Sequence, residues 1–362
     1  MAHLPGASVA PAVRRGRRGS AARHILAAMR ADIRYVAGLV LAAVAALWWA
    51  VGVTVLQPLT EPLGPWSELL LRGNPYWARE LRWGTVFAVA LALILAAGGD
   101  RRHTGAAVLL AGAWVAADVL ADRAQPQGAP ATVLLAAGGW LAIAGTVLLA
   151  QRGRSRPGEV RGWPERRTLT AAACVAAALL VVTAQLGDPG GRAADLAPAA
   201  YVTGALLLAV TVGCALAAAP SPDRVRPALA LAGVGALGFW LARLAPAGGL
   251  LVAALLGAVV LTGVTVLAWD RAAEGSRWKR SALVAFGTLL GVPVLLVLAA
   301  LVVQWLRLGA LFTSLAGNVV VSSDDGDVPY AFAGLLAGLV IALVLAWPNA
   351  LGQRPPHAVR RQ

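Results

Sequence analysis

Charge is scarce in this chain. Only 13% of its 362 residues are Asp, Glu, Lys or Arg, whereas 59% are hydrophobic. Soluble globular chains are about 25% charged and about 45–50% apolar. An ordinary soluble enzyme is therefore excluded, and lipid is the expected solvent for most of the polypeptide. Cysteine is equally sparse. Cys174 and Cys214 cannot build a disulfide framework or a cysteine-based metal cluster. Both fall inside hydrophobic runs, where they read as small apolar packers.

Lysine is almost missing, with Lys279 alone among 31 basic residues. A phosphate-cradling loop ends in Gly-Lys followed by Ser or Thr, but Lys279 stands between Trp278 and Arg280. Any nucleotide hydrolysis must come from a separate chain. The four histidines, His3, His24, His103 and His357, all lie outside the hydrophobic runs. That excludes an intramembrane haem held by His and a His-centred triad inside the membrane. No metal, cofactor or nucleic-acid partner is expected.

What remains is a series of long apolar runs. A spanning helix needs about 20 apolar residues, and ten segments qualify: 35–56, 83–99, 105–122, 131–150, 168–187, 196–219, 228–245, 249–269, 282–305 and 328–347. With the N-terminus placed inside, the connections put 24 basic residues on the inner side and 7 on the outer. Positive residues are retained in the cytoplasm, and each of the six inner segments carries at least two. Tryptophans near the chain's turning points, among them Trp66, Trp77, Trp83, Trp240 and Trp305, suit an aromatic belt at headgroup depth. Trp140 falls near mid-span and reads as a packing residue.

The expected fold is all-α: a polytopic integral membrane helix bundle of about ten transmembrane helices, both termini cytoplasmic. Residues 1–32 form a basic, disordered cytoplasmic tail that lies against anionic lipid headgroups. Residues 33–348 form the transmembrane domain, with long outer loops at 57–82 and 306–327, and residues 349–362 form a second basic tail. The first loop mixes Leu69, Leu70, Leu71, Tyr76, Trp77 and Leu81 with Glu68, Arg72, Arg79 and Glu80, a pattern suited to short interfacial helices. Both loops face one compartment and together can cap the bundle. The arginine-for-lysine bias and the wealth of Ala and Gly point to a GC-rich bacterial genome, hence a bacterial plasma membrane.

Ionisable groups within spans are costly and mark function. Asp118 is the clearest, and Trp114, Asp118 and Asp122 recur every fourth residue on one helical stripe. Arg243, Gln185, Tyr201 and Gln304 fall at comparable outer depth on other spans. The sharper reading pairs Asp118 with Arg243 across an outward-facing polar cavity. The plainer reading lets Arg243 snorkel to the headgroups and sets Asp118 just below a helix end, and the near-interface positions weigh toward it.

The outer loops add Glu61, Glu68 and Glu80, and an acidic turn with Asp324, Asp325 and Asp327. The turn lacks the closing bidentate carboxylate of a calcium loop and reads as solvated. Gly287 and Gly291, with Gly334 and Gly338, place small residues at matching depth on the last two spans, which lets those spans approach closely. Three functions fit. The first is a transporter, permease or permease-like subunit with a separate ATPase or an ion gradient for coupling. The second is an outward-facing membrane enzyme using the outer-loop carboxylates on lipid-linked substrates. The third is a non-catalytic scaffold or regulatory subunit bound to membrane partners.

Overall fold

The fold is given by a computed structural model that describes residues 13–60, 76–151, 163–187, 193–219, 224–244, 249–268, 277–318 and 328–352. Among these residues there is no strand. The first helix, α1 (Val13–Val51), passes through a π-helical turn at Gly52–Leu56 into the short α2 (Gln57–Thr60). Then follow α3 (Trp77–Ala97), α4 (Arg101–Ala124), α5 (Gly128–Gln151), α6 (Trp163–Gln185) and α7 (Ala193–Ala218). The chain continues with α8 (Val225–Leu244), α9 (Gly249–Ala268), α10 (Arg277–Trp305), α11 (Leu308–Ala316) and α12 (Tyr330–Gly352).

Among the described residues, nine helices are long and apolar enough to cross a membrane, and Tyr330–Leu345 adds a shorter apolar one. The chain is thus a multi-pass membrane helix bundle. Its surface agrees: Leu109, Leu134, Leu141, Leu229, Leu251 and Leu343 are all more than half exposed. So much bare aliphatic surface is compatible with lipid, not with water. All ten expected spans coincide with helices. The N-terminal limit of α1 lies at Val13, so the arginine-rich stretch before residue 33 continues the first helix. Its many Ala and Arg residues are strong helix formers.

Helix α3 is the axis of the bundle, packed by α1, α4, α6, α7 and α12. Every residue from Trp77 to Ala96 on it is buried. The second span therefore begins at residue 77 and not at 83. Tyr76, Trp77 and Leu81, expected on the outer interface, are fully interior, and so is Trp83. The charges at Arg79, Glu80 and Arg82 ended the apolar run in the sequence, yet the helix continues through them because each finds a buried partner. Trp240 and Trp305, by contrast, are exposed at the bundle surface as a belt requires. Trp140 is half-exposed, and its indole N–H reaches the Ala43 carbonyl of α1, 3.0 Å away.

The helix ends gather into two groups. At one end, Arg166 donates to the Ala218 and Ala268 carbonyls, and Arg224 donates to Val266 and Leu267. These guanidiniums satisfy the last carbonyls of α7 and α9, which have no partner within their own helices, and complement the negative end of each helix. The other end carries the polar cluster described below. The expected contact of the last two spans through their glycines is not formed. A Cβ on Gly287 or Gly291 of α10 would meet nothing within 4 Å. Gly334 and Gly338 of α12 pack on α6 instead, where a Cβ on Gly338 would stand 2.5 Å from the Val175 Cα. Level depth on two helices does not fix which faces meet, and α12 turns its small residues to α6.

Candidate functional site

Helix α4 buries few of its residues: Ala107, Trp114, Asp118 and Asp122, all on one stripe. The stripe faces the N-terminal turn of α3 and the π-helical turn after α1. Arg82 of α3 reaches along it. Its Nε donates to Asp118 Oδ1 at 2.9 Å, and its Nη2 reaches Asp118 Oδ2 at 3.4 Å and Asp122 Oδ2 at 3.2 Å. Its Nη1 donates to the Gln57 side-chain oxygen at 2.7 Å. One guanidinium thus serves two carboxylates from a single helix face, and all three side chains are shielded from solvent.

Two indoles complete the shell of Asp118. Trp49 Nε1 donates to Oδ1 at 2.7 Å and Trp83 Nε1 to Oδ2 at 3.0 Å. Asp122 is held differently. Besides Arg82 it accepts from two side-chain amides, Gln57 Nε2 and Asn318 Nδ2, the latter at 3.3 Å. Asp118 is therefore fixed by groups of the helical core. Asp122 is partly held by Asn318, which lies just beyond α11.

The π-helical turn explains how α1 contributes. It widens the helix at Gly52–Leu56, so Trp49, Gly52 and Gln57 all present to the cluster. Such one-turn insertions recur at functional sites. Gly52 is required for space, since a Cβ there would lie 2.7 Å from the Arg82 Cγ. Thr54 in the same turn shares a 2.6 Å hydrogen bond with Thr132 of α5.

A second arginine borders the first. Arg79 Nη1 donates to the Thr313 hydroxyl of α11 at 2.7 Å. Its guanidinium lies 4.2 Å above the Tyr76 ring centre and 5.0 Å from that of Trp83, where a cation is attracted by the ring faces. Glu80 Oε2 accepts the Ala331 backbone N–H at 2.8 Å, which sets a carboxylate at the positive end of α12. Trp83, Phe312 and Phe332 form an aromatic wall with ring centres 4.9–5.4 Å apart.

Asp118 and Asp122 thus lie where the stripe predicted, but Asp118 does not pair with Arg243. Arg243 donates to the Leu186 carbonyl at the end of α6, while the Asp118 oxygens are occupied by Trp49, Arg82 and Trp83. The physical reason is proximity in the chain: α3 and α4 are antiparallel neighbours, and Arg82 reaches the stripe first. Gln185 and Gln304 are exposed. Tyr201 packs edge-on against Phe239, 5.9 Å away. None of these three joins the cluster. Glu61, Glu68, Asp324, Asp325 and Asp327 lie outside the described residues.

Arg82, Gln57, Trp49, Thr313 and Asn318 are not among the site residues read from sequence, while Arg79, Glu80 and Trp83 are read there only as residues of an outer loop and its interface. One signal did point to the first of them. Two arginines at i, i+3 precede an apolar run, and the next run in the chain carries two aspartates at i, i+4. Among the described residues, no group of three or more His, Cys, Asp or Glu is placed to hold a metal ion. The arrangement offers recognition by hydrogen bonds and charge, with aromatic faces alongside. Comparison with family models, with curated proteins and with solved structures gives no match.

Proposed function

We propose that this protein is a membrane transporter: a permease, or a permease-like subunit whose energy comes from an ion gradient or a separate ATPase chain. One observation carries the reading. The most deeply buried helix of an apolar bundle devotes its first turns to Arg79, Glu80 and Arg82, the last of them paired with two aspartates of α4. Ionisable groups inside a membrane bundle are expensive and concentrate on solute and ion pathways. A purely structural bundle gains as much from apolar packing, because replacing a buried ion pair by hydrophobic residues is often neutral or stabilising. The arginine distribution supports a bacterial plasma membrane with both termini in the cytoplasm, which puts the cluster in the outer half of the membrane.

The test uses the full chain in nanodiscs and then in proteoliposomes. The probes are amino acids, sugars, choline and inorganic phosphate. The expected result is that one class raises the unfolding temperature and accumulates in wild-type liposomes, and does neither with a folded Asp118→Asn protein. Failure of every class, or equal uptake by Asp118→Asn, overturns the proposal.

A further inference from the structure

Among the described residues, the cluster is covered at its outer edge by one short element, α11. Nine residues make a helix of marginal intrinsic stability, so contacts and end geometry set its position. Both ends are turned sharply. Arg307 before it has φ 52° and Gly317 after it has φ 80°, left-handed conformations that reverse the chain within one residue. Gly309, Thr313 and Ala316 form its buried face, while Leu311 and Leu315 are half-exposed.

Each contact of this segment falls on a different part of the site. Thr313 accepts from Arg79, Asn318 donates to Asp122, and Phe312 packs on Trp83 and Phe332. Among the described residues, the partners of Asp118 come from α1 and α3.

We propose that α11 and the Asn318 that follows it form a lid, which swings on Arg307 and whose opening uncovers Arg79 and Asp122 while Arg82 and Asp118 stay paired. Opening removes an acceptor from Arg79, a donor from Asp122 and one ring from the aromatic wall. A solute able to take over these contacts carries an acceptor or anionic group, a donor or cationic group, and an apolar or aromatic body. Segments that open locally are those held by few contacts while the core stays folded. The lid stands on these contacts and does not depend on the transport reading.

The experiment places a reporter cysteine beneath the lid. Ala316→Cys sits on the buried face of α11, and the native Cys174 and Cys214 are fully buried. The full chain in nanodiscs is treated with a sulfonated, membrane-impermeant maleimide. Ala316→Cys is expected to label slowly, and to label about tenfold faster when Asn318→Ala removes the hydrogen bond to Asp122. Phe312→Ala, a second way to loosen the lid, gives the same direction. Cys174 and Cys214 remain unlabelled throughout. Unchanged rates in both loosened variants overturn the lid. So does labelling of Ala316→Cys only in step with the native cysteines, because that is global unfolding.

Discussion

Arg82 Nε lies 2.9 Å from Asp118 Oδ1, and neither side chain has any solvent exposure. In such a place the cost of losing one partner differs from the cost of losing both. Removing a single member strands the other charge, which costs about 3–5 kcal/mol, whereas replacing the pair by apolar groups is often neutral. Arg82→Gln, which strands both Asp118 and Asp122, is expected to lower the unfolding temperature in detergent strongly, Asp118→Leu less because Asp122 still faces Arg82, and Arg82→Met/Asp118→Leu/Asp122→Leu to recover most of the loss. Arg243→Gln, which leaves the pair intact, adds to Asp118→Leu without coupling. A strong coupling between positions 118 and 243 in the same thermal assay would contradict the pairing seen here.

Much of this arrangement was legible in the sequence, and the part that was not has a definite cause. Hydropathy locates ten of the twelve helices because a span cannot be built without an apolar run. The Trp114, Asp118 and Asp122 stripe was readable because helical period alone decides which residues of α4 share a face. The partner is not readable in this way, because the charges on α3 mark the end of the apolar run in sequence. A sliding apolar count cannot distinguish arginines that end a helix from arginines buried within one. Asn318 and Thr313 were hidden for a different reason: a short helix after α10 folds back 196 residues beyond Asp122 to reach it, a contact that no local pattern encodes.

Gly52 is where the backbone makes room for the pair. Any side chain there collides with Arg82 Cγ, and the carboxylates on its far side prevent Arg82 from retreating. Gly52→Ala is expected to destabilise by about 1–3 kcal/mol, the usual cost of overpacking. The same change in an Arg82→Ala background, where the clashing methylene is gone, should cost far less. Detergent-solubilised unfolding temperatures of the four proteins close this cycle.

Asp100 offers a pH-dependent test outside the membrane spans. It caps α4 by accepting the backbone N–H groups of Arg102 and His103, both at 3.1 Å, with His103 Nδ1 at 2.6 Å. Partial burial works against its charge, but the hydrogen bonds from the His103 side chain and backbone and from Arg102 outweigh that and hold the carboxyl below its ordinary value. A carboxyl lowered by folding stabilises fully above its unfolded value, about pH 4, and loses the contribution as pH falls through the folded value. Asp100→Ala should therefore cost about 1 kcal/mol at pH 7, and the gap to wild type should narrow below pH 4. Asp100→Asn, which caps without titrating, should keep its stability flat at this site across the same range.

The two glycine pairs near the end of the chain give opposite expectations from one substitution. Gly338 faces α6 so closely that a Cβ would meet the Val175 backbone, the Ala178 side chain and the Cys174 carbonyl. Two of these three neighbours are backbone atoms of a buried helix and cannot move aside. Gly338→Ala must therefore push α12 away from α6. Separating them loosens packing in a membrane, where close helix approach through small residues is a main source of association. Gly291 has the same neighbours in sequence terms, an apolar helix and a glycine four residues earlier, but open space where its Cβ would go. Gly291→Ala should be neutral, or stabilising by up to about 1 kcal/mol through helix propensity. Unfolding temperatures and folded yields of the two single variants separate the cases, and a loss at Gly291 equal to that at Gly338 would mean that α10 packs against a helix face it does not touch in this fold.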